Sequence, residues 1–194
     1  RRGILPNYKA DYLKNWEMGW KTSWMDNRVI WNGAVFREEW KNFQFAVLGL
    51  NGLTDIRNAA QAAITGLETD LTWAATYNLT FNGGFGYYNA KLTDNYCGTL
   101  DADEEPVTDC ASPLAPDGTQ LPITAKFKGN LTGRYTWDIG SMEAHIQGTW
   151  LYEGRRRSDL RLYEASLIGD MPAYNTMDFS FGVKKDKWAL DLFV

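Results

Sequence analysis

No stretch of this 194-residue sequence approaches the roughly 18 consecutive apolar residues that a spanning helix needs. No spanning helix is therefore expected within these residues. A strand-built membrane protein is not excluded, because alternation hides an apolar face from any averaged hydropathy. Histidine occurs once and cysteine twice, which leaves little material for a metal centre. Neither sign of charge dominates: the net charge is -4, and no general pull toward nucleic acid follows. What the chain does have is aromatic residues, 14% of the total with nine Trp. Girdles at a membrane interface are one reason for such a share, and a Trp-rich soluble sandwich is the plainer one.

The pattern is clearest in residues 127–152. Phe127, Gly129, Leu131, Gly133, Tyr135 and Trp137 share one face of the first arm, opposite Lys128, Asn130, Thr132, Arg134 and Thr136. After a turn expected at 138–141, Met142, Ala144, Ile146, Gly148, Trp150 and Tyr152 oppose Glu143, His145, Gln147 and Thr149. Period two is the signature of a strand. Soluble strands average about five or six residues, whereas arms of about ten suit a tilted strand crossing a bilayer. The apolar face is expected toward lipid, with Arg134, His145 and Gln147 toward a lumen.

The same alternation recurs along the chain. It marks residues 12–24, 64–73, 79–88, 177–183 and 188–194, with a less clean strand over 28–41. In that strand Val29, Trp31 and Val35 oppose Ile30, Ala34 and Phe36, and either set suits lipid, so its register stays open. The run 59–63 is compatible with a short loop helix or a strand start. About eight strands result. Short turns fall near Asp26, Tyr77, Asp138 and Lys185, and long connections near 42–60, 93–124 and 153–173. Bacterial barrels place short turns in the periplasm and long loops outside. Trp24, Trp73, Trp137 and Trp188 each lie near a short turn on the apolar face, as one interfacial girdle would. The expected fold is thus all-β, a partial antiparallel transmembrane β-barrel domain over 1–194.

Cys97 and Cys110 share one polar loop, and two thiols in an exported loop predict a disulfide. The chain opens on Arg1-Arg2-Gly3 without an export signal, which is expected outside this sequence or already removed. It stops while strand 188–194 is still running. Unpaired backbone in hydrocarbon costs several kcal/mol per group. The expectation is therefore an arc of a larger barrel.

Three segments resemble TonB-dependent outer-membrane receptors. In YKADYLKNWEMGWKTSWMDNRVIWNGAVFREEWKNFQ, the residues Glu17, Gly19, Trp20, Lys21, Asp26, Asn27 and Arg28 match the family's recurring strand–turn–strand. NAAQAAITGLETDLTW resembles a second family segment through Asn58, Gly66, Leu67 and Glu68, and WALDLFV resembles the strand before the barrel's closing strands. The resemblance covers nearly the whole chain. It implies the later part of a 22-stranded barrel. It also implies active uptake of a scarce small ligand (siderophore, cobalamin, oligosaccharide or similar), driven by the TonB complex through a plug outside this sequence. The family's plug, energy-coupling box and terminal aromatic strand have no counterpart in these residues.

Candidate chemistry is sparse, and no enzyme, cofactor or metal site is expected. His145 lacks convergent carboxylates or thiols for metal binding. Nothing orients Ser141 toward it as a nucleophile. Arg155, Arg156 and Arg157 lie just past the outer end of a strand, where they suit an anionic ligand or lipopolysaccharide phosphates; a solvated charged loop is the bland reading. The acidic run 101–105 lacks calcium-loop spacing. Two further classes remain open: a passive porin, and a small eight-stranded barrel that closes on itself as an anchor or adhesin.

Overall fold

The computed structural model describes residues 8–48, 52–59 and 61–194. Within them lie β1 (Tyr12–Trp24), β2 (Val29–Lys41), β3 (Gln44–Leu48), β4 (Thr54–Asn58), β5 (Gln61–Ala74), β6 (Leu79–Leu92), β7 (Phe127–Ile139), β8 (Met142–Glu153), α1 (Leu162–Ile168), β9 (Tyr174–Lys185) and β10 (Trp188–Phe193). Eight strands form one antiparallel sheet in the order β1-β2-β5-β6-β7-β8-β9-β10, and β3 pairs with β4 beside it. All but β10 of these eight run 12–14 residues, enough for a tilted crossing. β1 and β10 are the two edges and do not pair, so the small self-closed barrel is not formed.

The short turns follow local chemistry. Met25, Asp26 and Asn27 all take positive φ, a conformation that Asp and Asn tolerate. The hairpin between β7 and β8 is tighter than residues 138–141 suggested. Asp138 still pairs with Glu143 and Ile139 with Met142. Only Gly140-Ser141 turns, with Gly140 at φ 61° supplying the geometry that suits twisted strands.

Four features depart from the sequence reading or settle it. The 42–60 connection contains the β3–β4 hairpin, although its centre, 49–51, lies outside the described residues. In the 59–63 run, where Ala60 is outside the described residues, the strand start wins over the helix. Ala62 pairs with Leu92 and is 2% exposed, so packing overrides propensity. The 153–173 connection carries α1. The register of β2 is set by its neighbour: Val29 faces with Trp73 and Val35 with Leu67, while Phe36 faces Gly66 on the polar side. A ring needs that glycine's space, and β2 alone cannot reveal it.

The main apolar core lies at the long-connection end. Phe43, Phe45, Tyr96, Ala115, Leu121 and Leu160 bury there against Ala62, Ala90 and Leu92, with Trp40 and Ile64 at the margin. The sheet residues in this cluster all belong to the polar face by register. The loops therefore fold over that face as a canopy. They are cross-tied by Leu162 N–H to Leu114 O and Ile123 N–H to Arg157 O, both 2.8 Å. The expected disulfide is present, Cys97 to Cys110, with Cα atoms 6.2 Å apart.

Charges also tie the canopy. Arg161 bonds Asp159 at 3.0 Å and Glu164 at 2.9 Å. Burial raises the Asp159 pKa, but the hydrogen bonds and charge of Arg161, helped by Arg157, outweigh it and hold the carboxyl below its ordinary value. A carboxyl depressed in the folded state stabilises above its unfolded pKa, and that contribution is lost as pH falls through the folded value. We expect Asp159→Asn to raise protease sensitivity of residues 154–173 at neutral pH. Variant and wild type should converge once pH is well below about 3.9. Equal sensitivity at neutral pH would count against the tie.

Candidate functional site

Beneath the canopy, the polar face is hollowed by a concavity of about 790 Å³ that spans β1 to β8. Strand register builds it in rows. Lys21, Asn32, Asp70, Gly84, Asn130 and Leu151 form one row, and Gly19, Ala34, Glu68, Gly86, Lys128 and Glu153 the next. Alternation alone delivers these side chains to one face, because paired residues share a face in every strand. Asn32 donates to Asp70 at 3.0 Å, and the Tyr88 hydroxyl donates to Glu68. Lys128 Nζ lies 4.6 Å from the centre of the Tyr88 ring.

Glycine makes room for the aromatic part of the wall. A Cβ at Gly66 would run into the Phe36 ring, which lies 6.2 Å from Tyr88. We expect Gly66→Ala to cost about 1–2 kcal/mol by overpacking, read as a lower denaturant midpoint. An unchanged midpoint would show that the ring moves aside freely.

The hollow carries Glu17, Glu68, Asp70 and Glu153 against Lys21 and Lys128, so acids are in excess. Such a wall offers hydrogen bonds and a weakly negative field. It holds no oriented nucleophile and base, and among the described residues no group of three metal-binding side chains occurs.

Register places Arg134, His145 and Gln147 on this same polar face. Arg134 donates to Gln147 at 3.3 Å. His145 meets Asp191 at 3.3 Å, and the two close over Gly182, where any Cβ would strike both. That partnership was missed in the sequence. Its signal was there in parity, since Asp191, Gly182 and His145 occupy facing positions on three successive strands.

The model of the TonB-dependent receptor-like β-barrel matches residues 2–194. The chain belongs to this family. The receptor barrel crosses the bacterial outer membrane, with short periplasmic turns and long extracellular loops. Its fold resembles the siderophore receptor PiuA of Acinetobacter baumannii, with TM-score 0.64, 18% identity, and 93% of this chain covering 23% of that one. The ferric preacinetobactin receptor BauA of the same species gives TM-score 0.62, 14% identity, and 90% against 23%. The ferric yersiniabactin uptake receptor FyuA of Yersinia pestis gives TM-score 0.62, 15% identity, and 89% against 22%. The chain thus spans about a quarter of the length of the structures it matches. No curated protein matches it in sequence.

In this receptor barrel Trp24, Trp73, Trp137 and Trp188 share the apolar face, each beside a periplasmic turn. Trp73 stacks on Phe81 and Trp137 on Tyr135, both at 5.7 Å. The arginine triplet is divided. Arg156 lies over the Tyr174 ring at 5.4 Å and near Glu153, and Arg157 donates to Asp159 O at 2.9 Å. Arg155, with a 75% exposed side chain, has among the described residues a loose 3.6 Å contact with Asp170. The acidic run is engaged as well: Asp101 caps the N–H groups of Asp103 and Glu105, and Glu105 pairs with Lys9 at 2.7 Å.

Proposed function

We propose that this chain is wall and canopy of a receptor that imports a scarce small ligand, energised by TonB acting on a plug encoded elsewhere in the protein. The observation that carries the reading is a polar hollow on the same face whose extracellular end is covered by a cross-tied canopy, in a wall of this family. A simple filter has no need of a roof pinned by a disulfide and a shared core. On this reading Arg134, His145 and Gln147 line the lumen. Trp24, Trp73, Trp137 and Trp188 form the periplasmic girdle, and Arg155, the freest of its triplet, meets an anionic ligand at the loops. Because relatives of the same fold are named for ferric siderophores, ferric chelates are the first ligand class to test.

The test uses cells carrying the full-length protein and radiolabelled ferric siderophores. Import should require both the receptor and TonB, with surface binding retained when TonB is removed. Import that persists without TonB would favour a passive pore instead.

A further inference from the structure

The outward, apolar face of the wall carries a groove of about 510 Å³, lined by Trp31, Thr69, Leu71, Gly83 and Phe85. Register explains its shape. One outward row runs Trp31, Leu71, Gly83, Leu131, and the next row toward the canopy runs Gly33, Thr69, Phe85, Gly129. Gly83 thus leaves a gap between Leu71 and Leu131, with Trp31 and Phe85 at its rim. The base is tight, because a Cβ on Gly83 would meet Asn130 O at 3.0 Å and Leu131 Cδ1 at 3.3 Å.

The side-chain polar atoms of the lining are already used. Trp31 Nε1 donates to Thr69 Oγ1, and that hydroxyl donates to Asn32 O, both at 2.7 Å. An occupant therefore meets hydrocarbon surface. The row beside the periplasmic turns, Trp24, Val29, Trp73, Phe81, lies one two-residue step below the Gly83 row. Such a step is about 7 Å along a strand. In a hydrocarbon layer about 30 Å thick, the groove therefore lies in the periplasmic half. Val29 stands short between Trp24 and Trp73, and Arg28 precedes it at the boundary. Arg28 is exposed, and its Nε and Nη2 donate to Ala74 O at 3.1 Å and to Ala75 O at 2.6 Å. These bonds fix the guanidinium at the foot of β5. A guanidinium has five N–H donors, so others remain for a phosphate.

We propose that the groove and Arg28 together hold one phospholipid of the periplasmic leaflet. Arg28 takes the phosphate, and one acyl chain passes over Val29 into the notch at Gly83. Apolarity alone does not select this place, since the rest of the outward face is apolar too. Contact does: a chain on a flat wall touches it on one side, a chain in a groove on several, and dispersion grows with the contacts made. The site faces away from the polar hollow. It rests on the membrane orientation, not on the transport reading, and survives if that reading fails.

The test uses full-length protein in phosphatidylcholine liposomes with a trace of phosphatidylglycerol carrying a diazirine in one acyl chain. Met177 shares the row of Leu71 and Gly83 and is more exposed, 63% against 42% for Leu71. A featureless lipid shell would therefore label Met177 more. Peptide mass spectrometry after illumination should instead show adducts on residues 69–71 and 83–85 at least about fivefold above those on Met177. A diazirine-bearing diacylglycerol, which lacks the phosphate, should show no such preference, and Arg28→Gln should abolish the difference between the two probes. Gly83→Leu, which fills the notch, should bring labelling down to the Met177 level. Gly148→Leu, the same change on the same face outside the groove, should leave it high. Labelling of the wild type that follows exposure would overturn the proposal without any variant. So would equal preference for the diacylglycerol, or preference that survives Gly83→Leu or Arg28→Gln.

Discussion

Leu131→Arg is expected to destabilise the membrane-inserted protein by about 2–4 kcal/mol, whereas Asn130→Arg, one residue away, should cost far less. Leu131 lies near the middle of β7 on the face shared with Trp150 and Gly83, and it is 47% exposed in the isolated wall. Surface left bare there is surface for lipid. A guanidinium placed on it must drag water inward or distort the strand. Asn130 faces the polar hollow beside Asp70 and Asn32, where a long cation finds water and carboxylates. Denaturant unfolding in lipid vesicles measures both. Equal costs at the two positions would mean that the faces are assigned wrongly, and with them the lumen itself.

Removing the disulfide with Cys97→Ser and Cys110→Ser should loosen the canopy by up to about 3 kcal/mol, the loop-closure value for a ring of this size. The two cysteines are 13 residues apart. Three is a ceiling, because Tyr96 and Ala115 already bridge the same loop by a 2.7 Å hydrogen bond. The expected signature is faster amide exchange over residues 93–124, with exchange in β5 to β8 unchanged. Tyr96, 4% exposed and edge-on to Phe45 at 5.0 Å, is the residue through which the loosening should reach the hairpin β3–β4. Unchanged exchange throughout would show that the apolar core holds the loop without the covalent tie.

The two results probe opposite halves of the molecule, and they differ in how readable each was. The faces of β7 and β8 were legible because each arm alternates strictly, and a one-residue slip would turn every side chain to the wrong side. β2 was not, because its two faces are similarly apolar and the deciding contact, Phe36 over Gly66, belongs to another strand. That Trp24, Trp73, Trp137 and Trp188 lie on the apolar face beside short turns read easily from parity. Arg155, Arg156 and Arg157 read as one group but act differently, because Tyr174, Asp159 and Asp170 reach them from flanking parts of the chain.

The amino-acid sequence by itself determined what repeats with period two and what sits between repeats: the strands, their faces, the long and short connections, and the pair of cysteines. These depend on each residue and its near neighbours. Only the tertiary structure decided that three long connections share one core over Ala62, Ala90 and Leu92, and that His145 meets Asp191 across Gly182. Each of those is set by inter-strand register and loop packing, which join residues far apart in the chain and leave no local period to read.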